Sequence, residues 1–149
     1  MAKVRDVMSA DVETIPVGST LGTALEVMWR RDIGSVPVVD FRGHVVGIIT
    51  DRDVALASYL RDEKPSHIRV SSSMSGNVAT CGPDETLSAA EDRMRHAQVR
   101  RLPVVDALGT PIGMLTLSDL VRGPDHPREV SGALLQTLRA IAQPRDLGL

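Results

Sequence analysis

Displaced by 66 residues, the chain matches itself. Met8–Asp53 and Met74–Asp119 align without a gap, and about a third of the positions are identical. Among the identities are Met8/Met74, Ser9/Ser75, Leu21/Leu87, Met28/Met94, Gly47/Gly113, Thr50/Thr116 and Asp53/Asp119. The four-residue string Pro37–Asp40 recurs as Pro103–Asp106. A match of this length means that one supersecondary unit is used twice. Two copies are too few for a solenoid, whose units stack in rows, and suit a pseudo-twofold pair instead.

Each copy reads as β-α-β-β-α. A strand is expected at Val12–Ile15 and again at Val78–Cys81. Leu21, Ala24, Leu25 and Met28 then recur at helical spacing, as do Leu87, Ala90 and Met94, with Thr20 and Thr86 placed as N-caps. Apolar strands follow at Val36–Val39 and Val45–Ile49, and at Leu102–Val105 and Ile112–Leu115. Asp40–Gly43 and Asp106–Gly109 are turn sequences, so these strands should form hairpins. A second helix should open just after Thr50 and Thr116. The class is α/β, with a right-handed first crossover and a sheet buried on both faces. Linear reading puts the first motif at residues 1–65, a polar linker at 66–73, the second motif at 74–122 and a tail at 123–149. In that tail, after the Gly123–Pro127 break, Val130, Leu134, Leu135, Leu138 and Ile141 mark a helix closing at Gln143-Pro144.

Composition narrows the function classes. The chain has 149 residues, 42% hydrophobic and 24% charged, which is the profile of a folded globular protein. Seventeen Lys and Arg against nineteen Asp and Glu give a net charge of -2, so a dedicated nucleic-acid binder or polybasic membrane binder is not expected. Aromatic residues are 2%, too few for base-stacking platforms. One cysteine, Cys81, excludes an internal disulfide. The residues Met1–Met8 carry Lys3, Arg5 and Asp6 where an export signal would be apolar, so the expected compartment is the cytoplasm, with no membrane segment.

The strings Ile33–Asp40 with Gly47–Asp53, and Val99–Asp106 with Gly113–Asp119, resemble the CBS motif. Between roughly Val4 and Val121 the chain is similar to a stand-alone tandem CBS pair, or Bateman module, of the small bacterial type. The resemblance implies two tandem β-α-β-β-α motifs, a disc-like homodimer, and adenosine-containing ligands bound in clefts between motifs. It implies a regulatory role acting through a separate effector protein rather than catalysis.

Thr50-x-x-Asp53 and Thr116-x-x-Asp119 each sit where a strand opens into a helix. Free N–H groups at a helix start suit an anion, a Thr hydroxyl can donate to phosphate, and an Asp one turn on can accept from both ribose hydroxyls. The same spacing is that of a helix capping box, and the two uses can coexist. Ile48 and Met114, two residues before each Thr, could wall an adenine. As the resemblance implies, each cleft is built across the copies. Cleft 1 would set Ile48, Thr50, Arg52 and Asp53 against Ala79, Arg100 and Arg101. Cleft 2 would set Met114, Thr116 and Asp119 against Glu13, Gly34 and Ser35. Arginines suit phosphates, whereas Glu13 without a cation should repel them, so the clefts should differ. A solvated surface role for Arg100 and Arg101 stands beside this. Arg122 could supply a further cation.

His44, His67, His96 and His126 lack metal-ligand spacing, and Cys81 aligns with Ile15 as an apolar filler, so no metal site and no catalytic residue are expected. The expected ligand is AMP, ADP, ATP or S-adenosylmethionine, with none required as a cofactor. The alternative is a ligand-free structural or interaction dimer working as an adaptor.

Overall fold

The computed structural model describes residues 2–123 and 132–143. Pro124–Pro127, Val130 and Pro144 lie outside them. The elements run α1 (Val4–Val7), β1 (Ile15–Pro16), α2 (Leu21–Arg31), β2 (Ser35–Val39), β3 (Val45–Thr50) and α3 (Asp51–Arg61). After two 3-10 turns come α4 (Leu87–Ala97), β4 (Arg101–Val105), β5 (Pro111–Thr116), α5 (Leu117–Arg122) and α6 (Gly132–Ala142).

Packing divides the chain into two units that do not follow linear order. The first, built on repeat 1, comprises Val12–Val78 together with Ala107–Pro111. The second, built on repeat 2, comprises the leading segment up to Asp11, Ala79–Asp106 and the chain from Ile112 on. Each packing unit thus takes in a segment from outside the linear span of the motif it is built on.

The first unit has a three-stranded sheet in the order β1-β2-β3. The α2 crossover makes β1 parallel to β2, and the hairpin makes β2 antiparallel to β3, with Ser35 opposite Thr50. Thr20 caps α2 as expected, accepting from the Thr23 N–H at 3.3 Å. Leu21, Ala24, Val27 and Met28 form its buried stripe. Leu21, Val36, Val38 and Ile49 are fully buried, and each such side chain contributes roughly 1.5–3 kcal/mol by leaving water. The hairpin turn is drawn shut by Asp40, whose Oδ1 accepts from the N–H groups of Arg42 at 2.9 Å and His44 at 3.0 Å. The His44 bond, ahead of the Arg42 bond, holds the Asp40 carboxyl below the ordinary range. Gly43 completes the turn at φ +82°.

The 66–73 stretch is not a simple linker. Pro65–His67 and Val70–Ser72 are 3-10 turns, and Ile68 between them and Val70 at the start of the second are buried in the first unit's core. Ile68 O accepts from the Leu21 N–H, and Val70 N–H donates to Ser19 O, both at 2.8 Å. Two apolar residues inside a polar stretch carry this docking.

The second unit repeats the plan with a shorter sheet, β4-β5. The strand expected at Val78–Cys81 shrinks to a single parallel bridge, Cys81 to Val104, and the one expected at Val12–Ile15 becomes Ile15–Pro16. In both copies the chain must turn within a few residues to reach the Thr cap, which cuts the ladder short. Val4, on α1, is fully buried with Leu87, Met94, Leu102, Leu115 and Leu120. Leu21, Met28 and Leu120 are core, Leu25 is half-buried against it, and Leu56 is exposed. No helix among the described residues is long and apolar enough to cross a membrane.

The exchange has a repeated clasp. Ser75 and Ile48 exchange two backbone hydrogen bonds at 3.0 Å in the first unit. Ser9 and Met114 exchange two at 3.0 and 2.8 Å in the second. The methionine ahead of each serine lies over the glycine ahead of its partner. A Cβ at Gly47 would collide with Met74 Sδ. One at Gly113 would stand 2.7 Å from Ser9 O and 2.8 Å from Met8 Sδ.

Gly113→Ala should therefore destabilise the protein by about 1–3 kcal/mol in urea unfolding, because backbone must shift to admit the methyl. Gly18→Ala, with open space around it, should cost far less. Equal midpoints would mean that the clasp tolerates a side chain. Cys81 offers a second check. Burial, ahead of the charge of Glu85, pushes its thiol up to about 12. A folded-state value above the ordinary one keeps the thiol protonated through pH 9. Native protein should resist a thiol-specific reagent at pH 8 and react on unfolding, and rapid native labelling would contradict this.

Candidate functional site

In both units a strand hands over to a helix through Thr-x-x-Asp. Thr50 is extended (φ -110°, ψ 161°) and caps α3, and Thr116 (φ -112°, ψ 160°) caps α5. Thr50 Oγ1 accepts from the Asp53 N–H at 3.1 Å, and Asp53 Oδ2 accepts from the Thr50 N–H at 3.0 Å. The second copy makes the same pair of bonds at 3.2 and 2.8 Å. The capping box is thus the arrangement the folded chain adopts. It does not exhaust the polar groups. Each Thr hydroxyl acts only as an acceptor within the box, so its proton stays available for donation. The second carboxylate oxygens, Oδ1 of Asp53 and of Asp119, have no hydrogen-bond partner among the described residues.

A further bond gathers the surrounding residues. Asp51 N–H donates to Gly34 O at 3.0 Å, and Leu117 N–H donates to Arg100 O at 2.8 Å. Each helix start is thereby tied to the residue just ahead of the strand beside it. Gly34 and Ser35 come to Thr50, and Ser35 is buried there. Arg100 and Arg101 come to Thr116. The sequence reading set these arginines against Thr50 and Asp53; within their own unit they stand with Thr116.

The two boxes consequently differ in charge. Around Thr50 lie Asp51 and Asp53, and the exposed Arg52 donates its backbone N–H to Asp51 Oδ1 at 2.8 Å. Asp53 borders a cavity of about 270 Å³ with Leu56, Leu60 and Arg61. Around Thr116, the residues Arg100, Arg101 and Arg122 line a cavity of about 800 Å³. Leu138, Ile141 and Ala142 of α6 also line it. In the sequence Leu138 and Ile141 read as helix formers only, and Asp51 only as part of the Gly47–Asp53 string. The helical period showed that α6 had an apolar face but not what that face would cover. The repeat register, which puts Leu117 where Asp51 stands, was the available signal for the charge difference.

Other expected site residues fall in plain settings. Ile48 and Met114 lie half-buried in the clasped strands, and Ala79 packs on the second unit's core. Glu13 is not the bare anion that the sequence reading supposed. Arg30 Nη2 reaches its Oε1 at 2.5 Å and Arg31 Nε its Oε2 at 3.7 Å. Its repulsion of a phosphate is therefore offset by its own neighbours. His96 Nδ1 lies 2.7 Å from Asp92 O near the end of α4, and His126 is outside the described residues. Among the described residues no group of three or more His, Cys, Asp or Glu could hold a metal.

Comparison with known proteins agrees with this architecture. The CBS domain family profile matches twice, at residues 4–59 and 68–125. The CBS domain-containing protein YhcV of Bacillus subtilis (strain 168) is 33% identical over 120 residues, covering 80% of this chain and 84% of that protein. A homoserine O-acetyltransferase of Methanococcoides burtonii is 37% identical over 119 residues, covering 80% of this chain. The chain spans only 23% of that enzyme's length, and 23% of its counterpart from Methanohalobium evestigatum. Among solved structures, the CBS domain pair of protein MJ0100, in complex with 5′-methylthioadenosine and S-adenosyl-L-methionine, superimposes with a TM-score of 0.73 at 26% identity. That match covers 82% of this chain and 94% of that one. CBSX2 in complex with AMP gives a TM-score of 0.69 at 25% identity, covering 82% and 95%. Two profile matches over more than half of the sequence, on a duplicated β-α-β-β-α plan, place the chain in the CBS-domain family as a tandem pair.

Proposed function

We propose that the chain is a regulatory module that binds an adenosine-containing ligand and has no catalysis of its own. The observation that carries this reading is the paired box. Each fixes a Thr hydroxyl and an Asp carboxylate while leaving one donor and one acceptor for a ligand. A ribose presents two adjacent hydroxyls, which Asp Oδ1 can accept together, and the Thr hydroxyl can donate to a ribose or phosphate oxygen. Two relatives of the same fold bound to AMP, or to 5′-methylthioadenosine and S-adenosylmethionine, support the ligand class. The three arginines near Thr116 favour a phosphate-bearing ligand there, and the two carboxylates near Thr50 favour a less anionic one. The signal passes to a separate effector protein, and the proposed setting is a homodimer in the cytoplasm.

A second reading, an interaction adaptor with empty clefts, draws on the first unit's surface. Trp29, Leu56, Tyr59 and Leu60 of α2 and α3 are exposed there, Trp29 at 89%. Such side chains on neighbouring helices are suited to a protein partner.

Calorimetric titration with AMP separates the readings. Asp119→Asn keeps a cap acceptor and removes the charge, and it should weaken AMP binding by about 2 kcal/mol, the worth of a charged hydrogen bond. Asp53→Asn should do the same for a weakly charged ligand such as 5′-methylthioadenosine. At one hundred times its dissociation constant, a ligand should stabilise the fold by about 2.7 kcal/mol. No thermal shift with AMP, ADP, ATP or S-adenosylmethionine at millimolar concentration would favour the adaptor.

A further inference from the structure

The family match ends at residue 125, and α6 lies beyond it. Yet α6 is seated firmly on the second unit. Thr137 Oγ1, fully buried, donates to Glu91 Oε1 of α4 at 3.0 Å, and Glu91 is itself 8% exposed. Gln98 Nε2 donates to Ala140 O at 3.0 Å. Leu134 is buried in the same contact. The repeat register puts Leu25 where Glu91 stands, so the first unit lacks the carboxylate that receives Thr137.

This seating brings unlike residues to the cavity beside Thr116: Arg100, Arg101 and Arg122 line it together with Leu138 and Ile141 of α6. Arg100 and Arg122 have no carboxylate partner among the described residues. At about 800 Å³ the space is of the size that holds a small organic ligand rather than a lone ion. Its chemistry matches a phosphate-bearing anion that also has an apolar portion.

We propose that α6 is the closing wall of this site, so that occupancy by a phosphate-bearing ligand and seating of α6 on α4 are coupled. The coupling follows from contact. A ligand touching Leu138 and Ile141 binds better when α6 is seated, and it must then favour the seated state by the same factor. Ligand binding in the second unit is thereby reported at a helix that the family match does not include. The ligand's identity as a nucleotide rests on the function proposed above; the wall and its arginines do not.

The test uses the full chain, with hydrogen exchange of residues 132–142 and calorimetry against AMP, adenosine and tripolyphosphate. Saturating AMP should slow exchange across α6 by severalfold. Leu138→Glu puts an acid into the wall at a half-exposed position and should weaken AMP by about tenfold or more through like-charge repulsion, with less effect on adenosine. Arg122→Glu should abolish the preference for AMP over adenosine. Leu135→Glu, on the same helix but outside the cavity lining, should behave as the parent, with matched melting temperatures excluding misfolding. Unchanged α6 exchange under saturating AMP, or equal affinities of Leu138→Glu and Leu135→Glu, would overturn the proposal. AMP binding that remains sensitive to Asp119→Asn would then leave the nucleotide reading standing. If AMP fails to bind but tripolyphosphate slows α6 exchange in an Arg122-dependent way, the coupling stands and the nucleotide reading falls. Binding of neither overturns both.

Discussion

A methionine lying over a glycine, with a serine paired to the next residue of that strand, holds each unit together. The clasp costs the strand a side chain at Gly47 and at Gly113, and a methyl at either position would meet Met74 or Met8 and Ser9. In return, β3 and β5 each gain two edge hydrogen bonds just before they end. The residue after each glycine, Ile48 or Met114, makes those bonds, and the capping Thr follows two residues later. The position of each Thr-x-x-Asp box therefore descends from a packing contact made by a segment that is distant in sequence. The clasp also explains why Met-Ser and Gly are shared between the repeats while most surface positions have diverged.

The capping box leaves part of the polar capacity of its own residues unused. Capping uses the Thr oxygen as an acceptor and one carboxylate oxygen. What remains is a hydroxyl proton and a second oxygen, both held in place by the bonds already made. A group so held loses little side-chain freedom when a ligand arrives, which is how preorganisation strengthens binding. Around this shared centre the repeats have diverged in charge. Gly34, Ser35 and Asp51 in one correspond to Arg100, Arg101 and Leu117 in the other. One fold thus carries two boxes with different charged neighbours.

Much of this was legible in the sequence. The repeat gave the element order, and helical spacing with Thr20 and Thr86 placed α2 and α4. The Thr-x-x-Asp pattern located both boxes and posed the choice between cap and ligand site that the hydrogen bonds answer on the structural side. Three things escaped for physical reasons. Ile68 and Val70 sit in a polar stretch, where two isolated apolar residues leave no periodic trace, so a docked segment read as a linker. The exchange of Met8-Ser9 and Met74-Ser75 between motifs depends on long-range strand pairing, which local patterning does not encode. The pairing of Glu13 with Arg30 and Arg31 depends on how the turn of α2 presents its last residues, and a charge counted singly from the sequence came out as bare.

Co-crystallisation with AMP addresses the box itself. The account predicts ribose hydroxyls at the free Oδ1 of Asp119, with the Oδ2 bond to the Thr116 N–H intact and the phosphate turned toward the arginines. A nucleotide bound elsewhere with both boxes untouched, or one that opens the Thr116–Asp119 pair in order to bind, would contradict it.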